Sequence, residues 1–147
     1  MKWTNFQESK TELPEVTVEK VIEGFSTATN ELAYLAIQPK SDFERITKTK
    51  LSGKFQFKVV LLSNYLSDYS FTVFEFAYNV DLYPVSMIIS PVILQEINNR
   101  GENLLSSINF NDSQTFQNIV ELTFDNPKFV EIVSGLMKIA KKNINKW

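Results

Sequence analysis

The stretch from Phe55 to Ile89 constrains the fold most. Phe55, Phe57, Val59 and Leu61 alternate with Lys54, Gln56 and Lys58. A period of two with one apolar face is the pattern of a half-buried β-strand. Tyr69 to Val80 is rich in aromatic and β-branched residues and predicts a second strand. Its alternation slips between Val73 and Phe74, because Phe71/Val73 and Phe74/Phe76/Tyr78 both ask for a buried face. A β-bulge or a strand buried on both sides reconciles them. Tyr83, Val85, Met87 and Ile89 form a third run. The short connections, Asn64–Asp68 and around Asn79–Leu82, suit antiparallel neighbours. A preceding strand from Phe43 to Leu51, turning at Ser52-Gly53, makes a meander of about four strands.

Helices flank this centre. Pro14 sits where a helix can start, and Val18, Val21, Ile22, Phe25 and Ala28 recur at helical spacing. The reading is a helix from Glu15 to Thr29 with Gly24 as its weak point. Leu32–Ile37 either continues that helix or forms a first strand, and Pro39 ends it in both cases. Pro91 opens a short helix to Asn98, and Ser107–Phe110 adds an edge strand. Asp112 or Ser113 caps a helix bearing Phe116, Ile119, Val120 and Phe124. Asp125-Asn126-Pro127 then starts a last helix with Phe129, Ile132, Val133, Leu136, Met137 and Ala140 on one stripe. Helix, then meander, then two to three helices on one face of the sheet is a segregated order, so the expected class is α+β. At 147 residues, with 44% hydrophobic and 13% aromatic, the chain has apolar surface for a core, and residues 1–147 read as a single domain. Residues 1–13 read as a loose N-terminal arm or a first short element.

The composition excludes chemistry more readily than it indicates any. The chain has no histidine and no cysteine. A Ser-His-Asp or Cys-His arrangement cannot be built, nor can a disulfide or a zinc site of thiolates and imidazoles. No serine stands three residues before a lysine. The four glycines (Gly24, Gly53, Gly101, Gly135) form no phosphate-cradling loop. Magnesium and calcium need only oxygen ligands. Yet the oxygen-rich Asn109, Asn111 and Asp112 lack the charge density of a calcium loop and read as loop plus helix cap. Glu8-Ser9-Lys10 matches a fragment of a metal-nuclease motif, but it lies in the polar arm and not on a strand. Carboxylate acid/base chemistry stays open, with Glu75, between Phe74 and Phe76, as its best residue; alternation turns it outward. No catalytic residue, cofactor or metal is therefore assigned.

Charge is segmented along the chain. Residues 40–58 carry Lys40, Arg45, Lys48, Lys50, Lys54 and Lys58 against Asp42 and Glu44, while residues 59–127 carry only Arg100 against eight acids. If a hairpin joins the even-numbered Lys48, Lys50, Lys54 and Lys58 across Ser52-Gly53, they share one face, attractive to a phosphate backbone or an acidic protein. The commoner use of such lysines is to keep an edge hairpin unpaired. Lysine outnumbers arginine, which counts against bidentate recognition. Phe55 and Phe57 lie out of phase with the lysines and read as core. In the acidic part, Tyr65, Asp68, Tyr69, Asp81 and Tyr83 have the composition of a surface that meets a basic protein. The expectation is a non-enzymatic protein-interaction module of the regulator, immunity or inhibitor type. A nucleic-acid-associated protein using 40–58 and the lysine-rich C-terminus, and a carboxylate- or magnesium-dependent enzyme, are the alternatives. A protein partner comes first, then nucleic acid; a homodimer is a further option, and no membrane is expected. The start of the chain has no apolar run of signal length and no segment approaches a bilayer span, so the expected location is cytoplasmic. The lysine, asparagine, isoleucine and phenylalanine usage is that of an AT-rich genome, bacterial or phage.

Overall fold

The computed structural model describes residues 1–47 and 51–145. Its elements follow the order α1 (Pro14–Ile22), α2 (Phe25–Ala28), β1 (Tyr34–Pro39), α3 (Asp42–Thr47), β2 (Phe55–Leu62), β3 (Phe71–Tyr78), β4 (Val85–Ile89), α4 (Pro91–Asn99), β5 (Ile108–Phe110), α5 (Ser113–Phe124) and α6 (Pro127–Ile144). The five strands form one antiparallel sheet in sequence order. The class is α+β, with five strands where the sequence suggested about four.

The pleat and the register sort the side chains onto two faces. Phe57, Phe76, Met87 and Ile108 stand in one row, and Ile37, Val59, Phe74 and Ile89 in the next. This face joins Val18 of α1, Ile93 and Ile97 of α4, Phe116 and Val120 of α5, and Phe129, Val133 and Leu136 of α6 in one continuous core. Phe76 packs its ring 5.7 Å from Phe116, and Phe74 sits 5.9 Å from Phe124. Such aromatic pairs contribute about 0.5–1.5 kcal/mol each beyond the area they bury. The slip in alternation within β3 is a bulge: Val59 pairs with Phe74 and Val60 with Thr72, leaving Val73 without a partner on β2. Val73 and Phe74 then both reach the core.

Several local expectations change. Helix α1 ends at Ile22, and Gly24, at φ +86, breaks the run before the single turn of α2. The left-handed backbone there suits glycine and stops a continuous helix to Thr29. Leu32–Ile37 resolves as strand, with β1 beginning at Tyr34. The strand expected over Phe43–Leu51 is replaced at its start by α3. The cause is local: the Ser41 N–H donates to Glu44 Oε1 at 3.1 Å, and the Glu44 N–H donates to Ser41 Oγ at 3.2 Å. This reciprocal capping box satisfies two backbone donors that a strand would have placed in a ladder. Asp112 and Asn126 cap α5 and α6, accepting from the N–H of Thr115 and Phe129.

The β1–β2 connection also covers the second face of the sheet. Leu51 is buried. The Ser52 N–H donates to Ser86 Oγ at 3.0 Å, and that hydroxyl donates back to Ser52 O at 2.9 Å. At Gly53 the chain passes so close to β3 that a Cβ would stand 2.6 Å from Tyr78 N. Helices α4, α5 and α6 thus lie on one face, and the α3 connection closes part of the other. Residues 1–13 carry neither helix nor strand, and Trp3 and Phe6 are exposed.

Candidate partner-binding surface

The β2–β3 connection is held by two turns, with Leu66 N donating to Ser63 O and Tyr69 N to Leu66 O. It faces the end of α6, where Asn143 Nδ2 donates to Tyr65 O at 2.9 Å. Between them lies an open groove of about 490 Å³ lined by Tyr65, Leu66, Ser67, Asp68, Tyr69, Ile139 and Asn143. Tyr65 and Ile139 are 42% and 54% exposed, so the groove presents an aromatic ring and an aliphatic chain to solvent on either side of it. Asp68 is exposed between the tyrosines. Burial raises the Tyr69 hydroxyl above the usual tyrosine range.

Three residues singled out in the sequence, Tyr65, Asp68 and Tyr69, therefore meet in one place. Asp81 and Tyr83 do not join them. They follow β3, whose eight residues carry the chain roughly 25 Å to the other end of the sheet. Asp81 is exposed there. Tyr83 turns inward, its ring edge-on to Phe116 at 6.5 Å, and its buried hydroxyl makes no hydrogen bond of good geometry among the described residues. Burial pushes that hydroxyl up to about 12, with Thr17 opposing and the charges of Glu12 and Asp112 reinforcing the rise. Ile139 and Asn143 were missed in the sequence. The usable signal was that Ile139 falls outside the apolar stripe of α6, an aliphatic residue with no core position to fill.

Among the described residues, the basic segment does not pair as the hairpin that the sequence suggested, because β2 lies between β1 and β3. Lys48 and Lys50 lie outside the described residues. Lys54 is exposed near the β3–β4 end, its N–H donating to Asn79 Oδ1 and its carbonyl accepting from Arg45. Lys58 contacts Glu44 at 2.8 Å, which, helped by the Ser41 N–H, lowers the Glu44 carboxyl to about 2. Lys40 is fully buried on the face opposite α4, α5 and α6, 2.9 Å from Glu75 Oε1. Its ammonium approaches that oxygen off the hydrogen-bonding direction and has no other polar partner among the described residues. Glu75 points away from the helix-covered face as alternation requires, yet it meets a buried cation there. Arg45 pairs with Asp42 at 2.6 Å, so three of the six basic residues of 40–58 are countered by carboxylates. Phe57 stacks on Phe76 at 5.2 Å as part of the core, while Phe55 stays partly exposed.

Compared with family models, curated proteins and solved structures, the chain gives no significant match. No helix among the described residues is long and apolar enough to cross a membrane.

Proposed function

We propose that this chain is a non-enzymatic protein-interaction module whose partner docks in the groove between the β2–β3 connection and the end of α6. The observation that carries this reading is the pairing of exposed Tyr65 and Ile139 across a groove edged by Asp68 and Asn143. An aromatic anchor, an aliphatic neighbour and flanking polar groups are the composition of interface centres. The chemistry that fits is a segment with an apolar side chain beside a lysine or arginine, the first seated between Tyr65 and Ile139, the second on Asp68. A nucleic-acid surface over 40–58 has less support, since Lys40 and Lys58 are already paired.

Affinity capture from host lysate, read by mass spectrometry, tests the assignment with three variants. Tyr65→Ala and Asp68→Lys are expected to lose the captured protein, while Asp81→Lys, at the far end of the sheet, retains it. Equal capture by all three variants removes the groove as the binding site. Capture of nucleic acid that falls steeply with salt favours the basic segment in its place.

A further inference from the structure

Among the described residues, β1 is the longer of the two edge strands of the sheet, six residues against three in β5. The Lys40 N–H donates to Gln56 O at 2.9 Å, and in the same register Gln38 faces Lys58 and Ala36 faces Val60. In an antiparallel ladder, residues in step with such a pair exchange their bonds with the neighbouring strand, and those between them point the other way. The N–H and C=O of Leu35 and Ile37 therefore face away from the sheet. Ala33, just before the strand, has the same phase, and both of its backbone groups bond the Thr29 hydroxyl, at 3.2 and 2.9 Å. Pro39 has no N–H to leave unpaired. Among the described residues nothing reaches the backbone of Leu35 or Ile37 on that side.

Natural edges are usually blunted by lysine, by a bulge or by brevity. Between Tyr34 and Pro39 there is no charged residue, and the bulge of this sheet is on β3. The next cation along the chain, Lys40, is buried against Glu75 and does not guard the edge. The opposite edge, β5, has only three residues.

We infer that β1 pairs antiparallel with β1 of a second copy of this chain, about a two-fold axis through Ala36. The unpaired groups are symmetric about that residue, so Leu35 of one copy faces Ile37 of the other in about four backbone hydrogen bonds. The strand is uncharged, so the two copies meet without repulsion. The methyl group of Ala36 is the only side chain on the axis, which lets the backbones close to ladder distance. Leu35 and Ile37, both half-buried, would extend the helix-covered apolar face across the junction. This surface is separate from the groove, and either assignment can fail alone.

Light scattering after size exclusion, with amide exchange by NMR over a concentration series, tests it. The expected result is a mass that rises toward twice 17.0 kDa, with the Leu35 and Ile37 amides slowing by about tenfold or more as the dimer forms. Ile37→Pro deletes an N–H that the monomer does not use, a placement that edge strands tolerate, and should leave a folded monomer. Ala36→Lys sets two cations on the axis and should do the same. Circular dichroism checks the fold of each; if Ile37→Pro does not fold, Ala36→Lys and the wild-type exchange data decide. A protein still monomeric at about 1 mM with both amides exchanging freely overturns the inference. So does a dimer that persists in the folded variants, or one that leaves these amides unprotected.

Discussion

Glu44 does two jobs with one carboxylate: it caps α3 through the Ser41 N–H and it accepts Lys58. Its folded carboxyl is lowered to about 2, against 4.5 for an unperturbed glutamate. A depressed carboxyl contributes stability that is complete above the unfolded value and disappears as pH falls toward the folded one. Thermal melts of the wild type should therefore lose stability between about pH 4.5 and 2, and Glu44→Gln should flatten that limb. The pair is partly solvated, so at neutral pH the substitution should cost only about 1 kcal/mol. Tyr78 is the second residue with a clear consequence. Its hydroxyl donates to Glu15 Oε1 at 2.5 Å, tying the end of β3 to α1. Burial and this carboxylate raise it well above the usual tyrosine range. Tyr78→Phe is expected to lower stability by about 1–2 kcal/mol in urea unfolding, as for a hydrogen bond to a charged acceptor.

Among the elements, the β1–β2 connection depends most on a single position. Gly53 has φ +151, and a Cβ there would lie 2.6 Å from Tyr78 N and 2.9 Å from the Ala77 carbonyl carbon. Both are backbone atoms of a central strand and cannot swing aside. Gly53→Ala should destabilise by at least about 2 kcal/mol, measured by chemical denaturation, while Gly101→Ala, with open space around it, should cost less. At the start of α5, Asp112 accepts from the Thr115 N–H at 2.8 Å. Asp112→Ala is expected to cost about 1 kcal/mol, with the loss visible as faster amide exchange in the first turn. The elements also separate what was legible in the sequence from what was not. Strands β2, β3 and β4 announce themselves by period, because burial on one face writes a two-residue pattern directly. The bulge was legible as a broken period at Val73/Phe74. Helix α3 was hidden because a strand was expected to lead into the Ser52-Gly53 turn, although the signal for a helix stands in Ser41-Asp42-Phe43-Glu44. The side-chain caps carried more information there than the hydrophobic pattern did.

At the scale of the whole molecule, sequence distance misled the search for a site. Tyr65, Asp68, Tyr69, Asp81 and Tyr83 form one acidic, aromatic stretch in the chain, yet β3 places them at opposite ends of the sheet. The contribution of α6 to the groove was signalled in the sequence only by Ile139 outside the apolar stripe, since the rest depends on which turn of a C-terminal helix reaches the β2–β3 connection. The lysines misled in another way. Their countercharges, Glu44 and Glu75, come from a connection and from a central strand, so a tally along the sequence shows a basic block where the folded surface is partly neutral. The Thr29 hydroxyl, which closes the backbone of Ala33, has a consequence for how far strand addition can go. Together with Pro39 it leaves a template only two residues deep at Leu35 and Ile37, while β5 offers only three residues at the far side. Once two copies have joined through β1 about a two-fold axis, each β1 edge is used by the other, so association through this strand closes as a pair.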